Sequence, residues 1–86
     1  MIKLSFIITA FNADKHIKKC IESCLNQKET SISYDIIVVD DFSNDKTREI
    51  LSSIKSNHVK LIKNSKNMGI EKSVNKAIKA SKSDFI

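Results

Sequence analysis

Short apolar runs alternate along this chain with longer stretches in which apolar residues recur every three or four positions. The clearest run is Ile36 to Val39, four consecutive apolar residues that predict a strand buried on both faces. Lys3 to Ala10 and Val59 to Ile62 predict two more strands, and Asp84 to Ile86 would begin a fourth. The pattern therefore predicts strands that alternate with helices.

Three helices are predicted between these strands, from the 3.6-residue spacing of their apolar positions. The first extends to about Asn26 with Asn12 or Asp14 as N-cap, the second runs from Lys46 to about Ser56 with Asn44 or Asp45 as N-cap, and the third runs from about Ile70 to Ala80. The expected inward-facing residues are Ile17, Cys20, Ile21, Cys24 and Leu25, then Ile50, Leu51 and Ile54, then Ile70, Val74, Ala77 and Ile78. Gln27 to Tyr34 is expected to be a polar connection.

The order β-α-β-α-β-α-β predicts an α/β fold with a parallel sheet. Right-handed crossovers between parallel strands place helices on both faces of the sheet. We expect a Rossmann-like, three-layer α/β/α arrangement with a mostly parallel sheet. The predicted fourth strand has three residues, which is short for a strand, so residues 1–86 are expected to be the front half of a longer domain.

Composition narrows the range of functions. With 41% hydrophobic and 29% charged residues, the chain has the composition of a folded globular protein. Its net charge of +5 comes from lysines spread along the sequence, without a basic cluster interleaved with aromatic residues. We expect a solvated lysine-rich surface, no nucleic-acid partner, and some electrostatic preference for an anionic ligand.

Cysteine and histidine spacing gives no sign of a metal site. Cys20 and Cys24 lie one helical turn apart and are expected to be reduced structural thiols, and His16 and His58 have no supporting ligands nearby in sequence. No apolar run is long enough for a membrane span, and we expect no signal peptide. A cytoplasmic location is therefore expected, where a missing part or a partner could bring the protein to the inner face of the membrane.

Candidate chemistry lies where the predicted strands end. Asp40 and Asp41 directly follow the buried strand, and adjacent carboxylates cost energy unless a ligand, a donor or a cation compensates them. A binding site and a simple helix cap both explain this pair. Phe11 and Asn12 follow the first strand, and Asn67 to Gly69 follow the third. Carboxyl ends of parallel strands share one edge of the sheet, where ligands bind in such folds.

Four segments, in order, resemble the amino-terminal half of family-two glycosyltransferases of the GT-A fold. They are Ala10-Phe11-Asn12, then Ser23 to Gln27, then Val39-Asp40-Asp41-Phe42-Ser43-Asn44-Asp45-Lys46-Thr47, and then Asn67-Met68-Gly69 with the downstream Asn75. Each motif alone is weak, whereas four in the family's order are specific. The resemblance covers essentially the whole chain.

This resemblance implies a site for a nucleotide-sugar donor, usually a UDP-sugar, used in glycan or cell-surface polysaccharide synthesis. Phe11 would stack on the base beside the backbone of Thr9 and Ala10, and either Asp40 or Asp41, with Asp41 favoured, would accept a hydrogen bond from the base or ribose. The remaining implied binding residues are Asn12, Asn67, Gly69 and Lys72. Four of the implied residues also have a simpler explanation: Asn12 and Gly69 as turn residues, Lys72 as a solvated lysine, and Phe11 as a packing residue.

The sequence departs from the family pattern in one important way. It contains no Asp-x-Asp motif, which in the family holds a divalent cation, Mn or Mg, on the donor diphosphate. That motif, the catalytic base and the acceptor site are expected beyond residue 86. We therefore expect no catalytic or metal-binding residue in this chain, no sugar transfer by it alone, and self-association through surfaces that a longer domain would cover.

Two other classes of protein were considered. A non-catalytic, receiver-like α/β module also places paired acids at strand ends, but after its first strand. A dinucleotide-binding Rossmann unit requires a Gly-x-Gly-x-x-Gly motif, and this chain has a single glycine.

Overall fold

The computed structural model describes residues 2–26 and 32–83. The elements along the chain are β1 (Ile2–Ala10), α1 (Ile17–Leu25), β2 (Ile32–Asp40), α2 (Thr47–Ser53), β3 (Val59–Lys63) and α3 (Ile70–Ala80). The strands form a parallel sheet in the order β1-β2-β3. The predicted alternation of strands and helices and the α/β fold class are confirmed, whereas the predicted fourth strand at 84–86 lies outside the described residues.

Strand β2 is the centre of the sheet and the most buried element. It pairs with β1 from Ile32 to Asp40 and with β3 from Ile36 to Asp40, all in parallel register. Ile36, Ile37, Val38 and Val39 have no exposed surface. The continuous apolar run predicts this correctly, because a strand covered on both faces needs apolar residues at successive positions.

The two faces of β2 are covered by different helices. Ile36 and Val38 pack with Ile17 and Ile21 of α1 and with Leu51 of α2. On the opposite face, Ile37 and Val39 pack with Ala77 of α3. The described residues therefore form the three-layer α/β/α arrangement that the sequence predicted.

Strand β2 begins earlier than expected. Its first described residues, 32–34, belong to the stretch predicted as a polar connection, whose remainder at 27–31 lies outside the described residues. Tyr34 explains the difference, because its ring packs edge-on against Phe6 with centroids 6.1 Å apart and stacks on His58 at 4.4 Å. These cross-strand aromatic contacts stabilise pairing that the polar composition did not suggest.

Helix α2 is shorter than its pattern predicted, and the buried faces of α1 and α3 differ from the predicted ones. Helix α2 stops at Ser53 because Ile54 adopts an extended backbone conformation, with φ −78° and ψ 121°. Cys20 is exposed and Cys24 half-buried, so the inward face of α1 is narrower than the predicted stripe. In α3, Ser73 and Ala77 are buried, whereas Ile70 and Ile78 are 74% and 42% exposed.

The predicted N-caps were also only partly correct. Helix α1 begins after a turn in which Ala13 O accepts from the backbone N–H groups of His16 and Ile17, and neither Asn12 nor Asp14 caps it. At α2, Asp45 Oδ1 accepts from the Thr47 N–H at 2.9 Å, so this carboxylate does satisfy a donor at the helix start. No helix in the described ranges is long and apolar enough to cross a membrane.

The burial of these helices gives a stability prediction. We expect Ile21→Ala, which removes a fully buried side chain between α1 and the sheet, to lower the free energy of unfolding by about 2–5 kcal/mol. Ile78→Ala, which trims a side chain that is 42% exposed, should cost about 1 kcal/mol or less. Urea denaturation of the 86-residue chain measures both. Equal losses for the two variants would contradict the described packing of α3.

Candidate functional site

The carboxyl ends of the three strands bring three loops together at one edge of the sheet. The β1–α1 loop carries Phe11 and Asn12, the β2–α2 loop carries Asp41 to Lys46, and the β3–α3 loop carries Asn64 to Gly69. Between them lies an open cleft of about 600 Å³. It is lined by Thr9, Ala10, Phe11, Ala13, Asp41, Asn67, Gly69, Ile70 and Ser73.

Phe11 presents an aromatic surface to this cleft. The side chain is 51% exposed although it directly follows β1, so the alternative of a core-packing residue does not apply. An aromatic ring left in contact with water at the rim of a cleft is available to stack on a planar group.

Asn12 lies outside the cleft lining and holds two loops together. Its backbone has the left-handed φ of 49°, which asparagine tolerates better than most residues. Its Oδ1 accepts from the Asn44 N–H at 2.9 Å. The structure therefore gives Asn12 the role of a turn residue, the simpler of the two explanations considered from sequence.

Asp40 is fully buried beneath the β2–α2 loop. Its carboxylate accepts hydrogen bonds from Ser43 Oγ at 2.5 Å and from the Ser43 N–H at 3.3 Å, and it forms an ion pair with Arg48 Nε. Arg48 Nη2 also donates to Asn64 O at 2.5 Å. Since these partners occupy the carboxylate and Asp40 does not line the cleft, direct contact of Asp40 with a base or ribose does not fit this geometry.

Asp41 points to the other side of the sheet edge and does line the cleft. Its Oδ1 accepts from Asn64 Nδ2 at 2.9 Å and from the Met68 N–H at 2.7 Å, and its Oδ2 accepts from the Gly69 N–H at 2.9 Å. Desolvation of the buried carboxylate disfavours its charged form, but these hydrogen bonds outweigh that effect, so the pKa of Asp41 is lowered from its ordinary value. The cleft thus contains an ionised acceptor at neutral pH.

Gly69 closes the β3–α3 loop with a backbone conformation that favours glycine. Its φ is +86°, and a Cβ placed there would meet nothing within 4 Å, so the requirement is conformational and not one of space. This supports the explanation of Gly69 as a permissive turn residue, and its N–H additionally anchors Asp41.

Lys72 lies elsewhere. Together with Met68, Asn75, Lys76 and Lys79 it lines a separate groove of about 380 Å³ on α3. Lys76 Nζ donates to Asn64 Oδ1 at 2.8 Å, and both lysines are exposed. Lys72 is not part of the lining of the Phe11 cleft, and its contact with a donor diphosphate stays a prediction.

Several residues that shape the site were not identified from the sequence. Ala13, Ile70 and Ser73 line the cleft, and Asn64 and Ser43 hold the two carboxylates in place. Ile70 and Ser73 were missed because the helical pattern placed Ile70 in the core, and a serine on an inward face gives no periodic signal. For Ser43, the signal was its place three residues after Asp40, a spacing at which a hydroxyl reaches back to a strand-terminal carboxylate.

A divalent cation finds no ready set of ligands in this part of the chain. Within residues 2–26 and 32–83, no group of three or more His, Cys, Asp or Glu side chains is arranged to hold a metal ion. Asp40 and Asp41 face apart and are engaged by protein donors. The described residues therefore do not form a site for a divalent cation.

Comparison with known proteins identifies the family. Residues 5–86 match the model described as glycosyl transferase family 2. A dolichyl N-acetyl-alpha-D-glucosaminyl phosphate 3-beta-D-2,3-diacetamido-2,3-dideoxy-beta-D-glucuronosyltransferase of Methanococcus voltae is 33% identical over 95% of this chain and 26% of that protein. Chondroitin synthase of Escherichia coli is 36% identical over 96% of this chain and 12% of that protein.

Solved structures agree. The crystal structure of S. aureus TarS in complex with UDP-GlcNAc superposes with a TM-score of 0.86 and 27% identity, over 99% of this chain and 26% of that one. The chain therefore spans about a quarter or less of the length of these relatives.

The receiver-like alternative has no support from these matches, and the resemblance noted in the sequence is confirmed. This chain belongs to glycosyl transferase family 2, with the α/β architecture of the GT-A fold.

Proposed function

We propose that the cleft beside Phe11 binds the nucleotide of a UDP-sugar, and that residues 1–86 are the donor-binding part of a longer glycosyltransferase domain. The observation that carries this proposal is the pairing of an exposed aromatic ring, Phe11, with a buried ionised acceptor, Asp41, in one cleft at the carboxyl edge of a parallel sheet. A TarS structure of the same fold contains UDP-GlcNAc, which supports the choice of donor.

The chemistry of the cleft suits a uracil base. The Phe11 ring offers a stacking surface, which contributes roughly 1–3 kcal/mol per base in nucleotide-binding proteins. Asp41 is ionised at neutral pH and can only accept hydrogen bonds. Its Oδ2 accepts from the Gly69 N–H and has a second lone pair, which can accept from the imide N–H of uracil. The backbone of Thr9 and Ala10 and the side chain of Asn67 complete the rim. Adenine has no imide N–H, and its amino donor lies beside ring nitrogens that are acceptors and repel a carboxylate, so we expect the cleft to prefer uridine nucleotides.

The transfer step requires groups outside the described residues. The sequence has no Asp-x-Asp motif. In the complete domain, a divalent cation on the diphosphate, a catalytic base and an acceptor site for a glycan or polysaccharide would come from sequence that the relatives possess and this chain does not span. The chain alone is proposed to bind donor without transferring sugar, and its cytoplasmic location stays a prediction.

Self-association is part of the same proposal. Ile70 and Ile78 are exposed apolar residues on α3, and β1 is an edge strand of the sheet formed by the described residues. Edge strands and apolar patches promote association when nothing covers them. We expect light scattering to detect species larger than a monomer at high concentration, and Ile70→Lys combined with Ile78→Lys to reduce them. A monodisperse monomer at all concentrations would contradict this expectation.

An amide NMR titration with UDP and with ADP, each with and without Mg²⁺, tests donor binding. We expect UDP-selective shifts at Phe11, Asp41 and Gly69. Phe11→Ala should weaken UDP binding by roughly 5- to 150-fold, the equivalent of losing one base–aromatic stack.

Phe42→Ala is the matched control for that variant. Phe42 is also an exposed phenylalanine, on the neighbouring loop, but its ring packs against Arg48 and does not line the cleft. It should bind UDP within about twofold of the unsubstituted chain, a difference that is small on the affinity scale. No UDP selectivity in the unsubstituted chain, or equal effects of the two variants, would overturn the proposal.

Asp41 gives a pH-dependent prediction. Because its folded pKa is lowered, its ionised form stabilises the fold above the unfolded pKa of about 3.9, and this stabilisation is lost as pH falls through the lower, folded value. Asp41→Asn replaces one carboxylate oxygen by an NH2 group, which then faces the N–H of either Met68 or Gly69, donor against donor. We expect the variant to have a lower free energy of unfolding than the unsubstituted chain at pH 7. This difference in free energy should become smaller below about pH 4.

Thermal unfolding measured between pH 7 and pH 2.5 checks this prediction. Asp14→Asn is the control, because Asp14 is only half-buried and belongs to none of the hydrogen bonds around Asp41. A destabilisation by Asp41→Asn that stays constant down to pH 2.5 would show that the charge of Asp41 is not what holds the β3–α3 loop.

A further inference from the structure

Three consecutive backbone N–H groups after Phe11 are held by side chains of the neighbouring loop. The Asn12 N–H donates to Ser43 Oγ at 3.0 Å, the Ala13 N–H to Thr47 Oγ1 at 2.8 Å, and the Asp14 N–H to Asp45 Oδ2 at 3.3 Å. We call Ser43, Asp45 and Thr47 the loop clamp. Its members alternate with residues that point away, so every second side chain from 43 to 47 reaches the β1–α1 loop.

The clamp is itself rigidly supported. Thr47 is fully buried at the start of α2, and Ser43 is nearly so. Ser43 Oγ donates its proton to the Asp40 carboxylate at 2.5 Å, which leaves its lone pairs directed to the Asn12 N–H. Asp40 is fixed in turn by its ion pair with Arg48. The acceptors for the Phe11 loop are therefore fixed before any ligand arrives.

The loop that the clamp holds is in a conformation that needs support. Asn12, directly after Phe11, has a left-handed φ of 49°, and Phe42, at the start of the facing loop, has a φ of 64°. Such conformations are uncommon outside glycine and persist where surrounding contacts enforce them. Here Asn12 is bonded through both its N–H and its Oδ1, the latter to the Asn44 N–H.

We propose that Ser43, Asp45 and Thr47 are positioning residues that hold the Phe11 ring open to the cleft, in the orientation needed to stack on the base of a nucleoside diphosphate. This inference rests on the proposed function for its ligand, but not for its geometry. It gives a physical reason for the alternating spacing of hydroxyl, carboxyl and hydroxyl groups at 43, 45 and 47. The binding energy of stacking is then not spent on ordering the loop.

Amide hydrogen exchange tests the clamp without any ligand. Thr47→Val keeps the shape of the side chain but removes the acceptor for the Ala13 N–H, whereas Thr47→Ser keeps that acceptor. We expect exchange at Ala13 to become faster in Thr47→Val and to remain close to that of the unsubstituted chain in Thr47→Ser. Ser53→Ala is the control, since Ser53 is exposed and its hydroxyl donates to Ile50 O of its own helix, away from the β1–α1 loop.

UDP affinity then tests the link to Phe11. Thr47→Val should weaken UDP binding by roughly 2- to 10-fold, the range that follows from one lost hydrogen bond. Thr47→Ser should restore most of the affinity, a rescue that general loss of packing would not give. In a Phe11→Ala background, Thr47→Val should have little further effect on affinity, because the ring that the clamp positions is already absent.

The outcomes separate the two proposals. Unchanged exchange at Ala13 in Thr47→Val would overturn the clamp, whatever its effect on UDP. Additive losses in the Phe11→Ala, Thr47→Val double variant would overturn the positioning of Phe11. Failure of the unsubstituted chain to bind UDP, with Ala13 protected as expected, would overturn the proposed function while leaving the clamp geometry supported. Should Thr47→Val not fold, Ser43→Ala tests the clamp in the same way, because it removes the acceptor for the Asn12 N–H. Unchanged exchange at Asn12 in that variant would overturn the clamp.

Discussion

Two adjacent carboxylates at the end of the central strand determine how this edge of the sheet is built. Asp40 is the last residue of a strand that is buried on both faces and Asp41 is the next residue, so their side chains turn to opposite sides. A buried carboxylate is costly unless hydrogen bonds compensate its lost hydration. Asp40 is compensated by Ser43 and Arg48, and Asp41 by the β3–α3 loop. Each acid therefore fixes a different loop.

The two carboxylates therefore have different roles: Asp40 supports the loops around the cleft, whereas Asp41 faces the cleft itself. The Asp40 side fixes the β2–α2 loop, whose Ser43, together with Thr47 at the start of α2, holds the loop that carries Phe11. The Asp41 side fixes the start of α3 and leaves its carboxylate at the cleft. One aromatic surface and one anionic acceptor thus face the same space from separately anchored loops. A cleft of this kind can discriminate a base by its donors without rearrangement.

Much of this architecture follows from the sequence because it depends on patterns that burial imposes. The run from Ile36 to Val39 specified the central strand, and helix α3 was predicted with the bounds that the structure has. Details that depend on individual contacts were less predictable. The pattern on α3 placed Ile70 in the core, but the helix buries Ser73 instead, because Ser73 Oγ accepts from Asn64 Nδ2, which also donates to Asp41.

The candidate site, like the fold, could be predicted from the sequence only in part. Sequence reasoning identified Phe11, Asp41 and Gly69 as residues of one edge, because strand ends converge in a parallel sheet. It left Asp40 and Asp41 as alternatives, since only the direction of each side chain relative to the pleat separates them. Its inclusion of Lys72 stays a prediction, because helical spacing alone does not say which groove a long side chain borders, and Lys72 borders the groove on α3.

The most direct test of this account is to measure intermolecular nuclear Overhauser effects between the uracil H5 and H6 protons of UDP and the aromatic rings of the chain. The account predicts contacts to the Phe11 ring and none to the Phe42 ring, because only Phe11 lines the cleft. Bound UDP without contacts to Phe11, or with its base beside the lysines of the α3 groove, would contradict it.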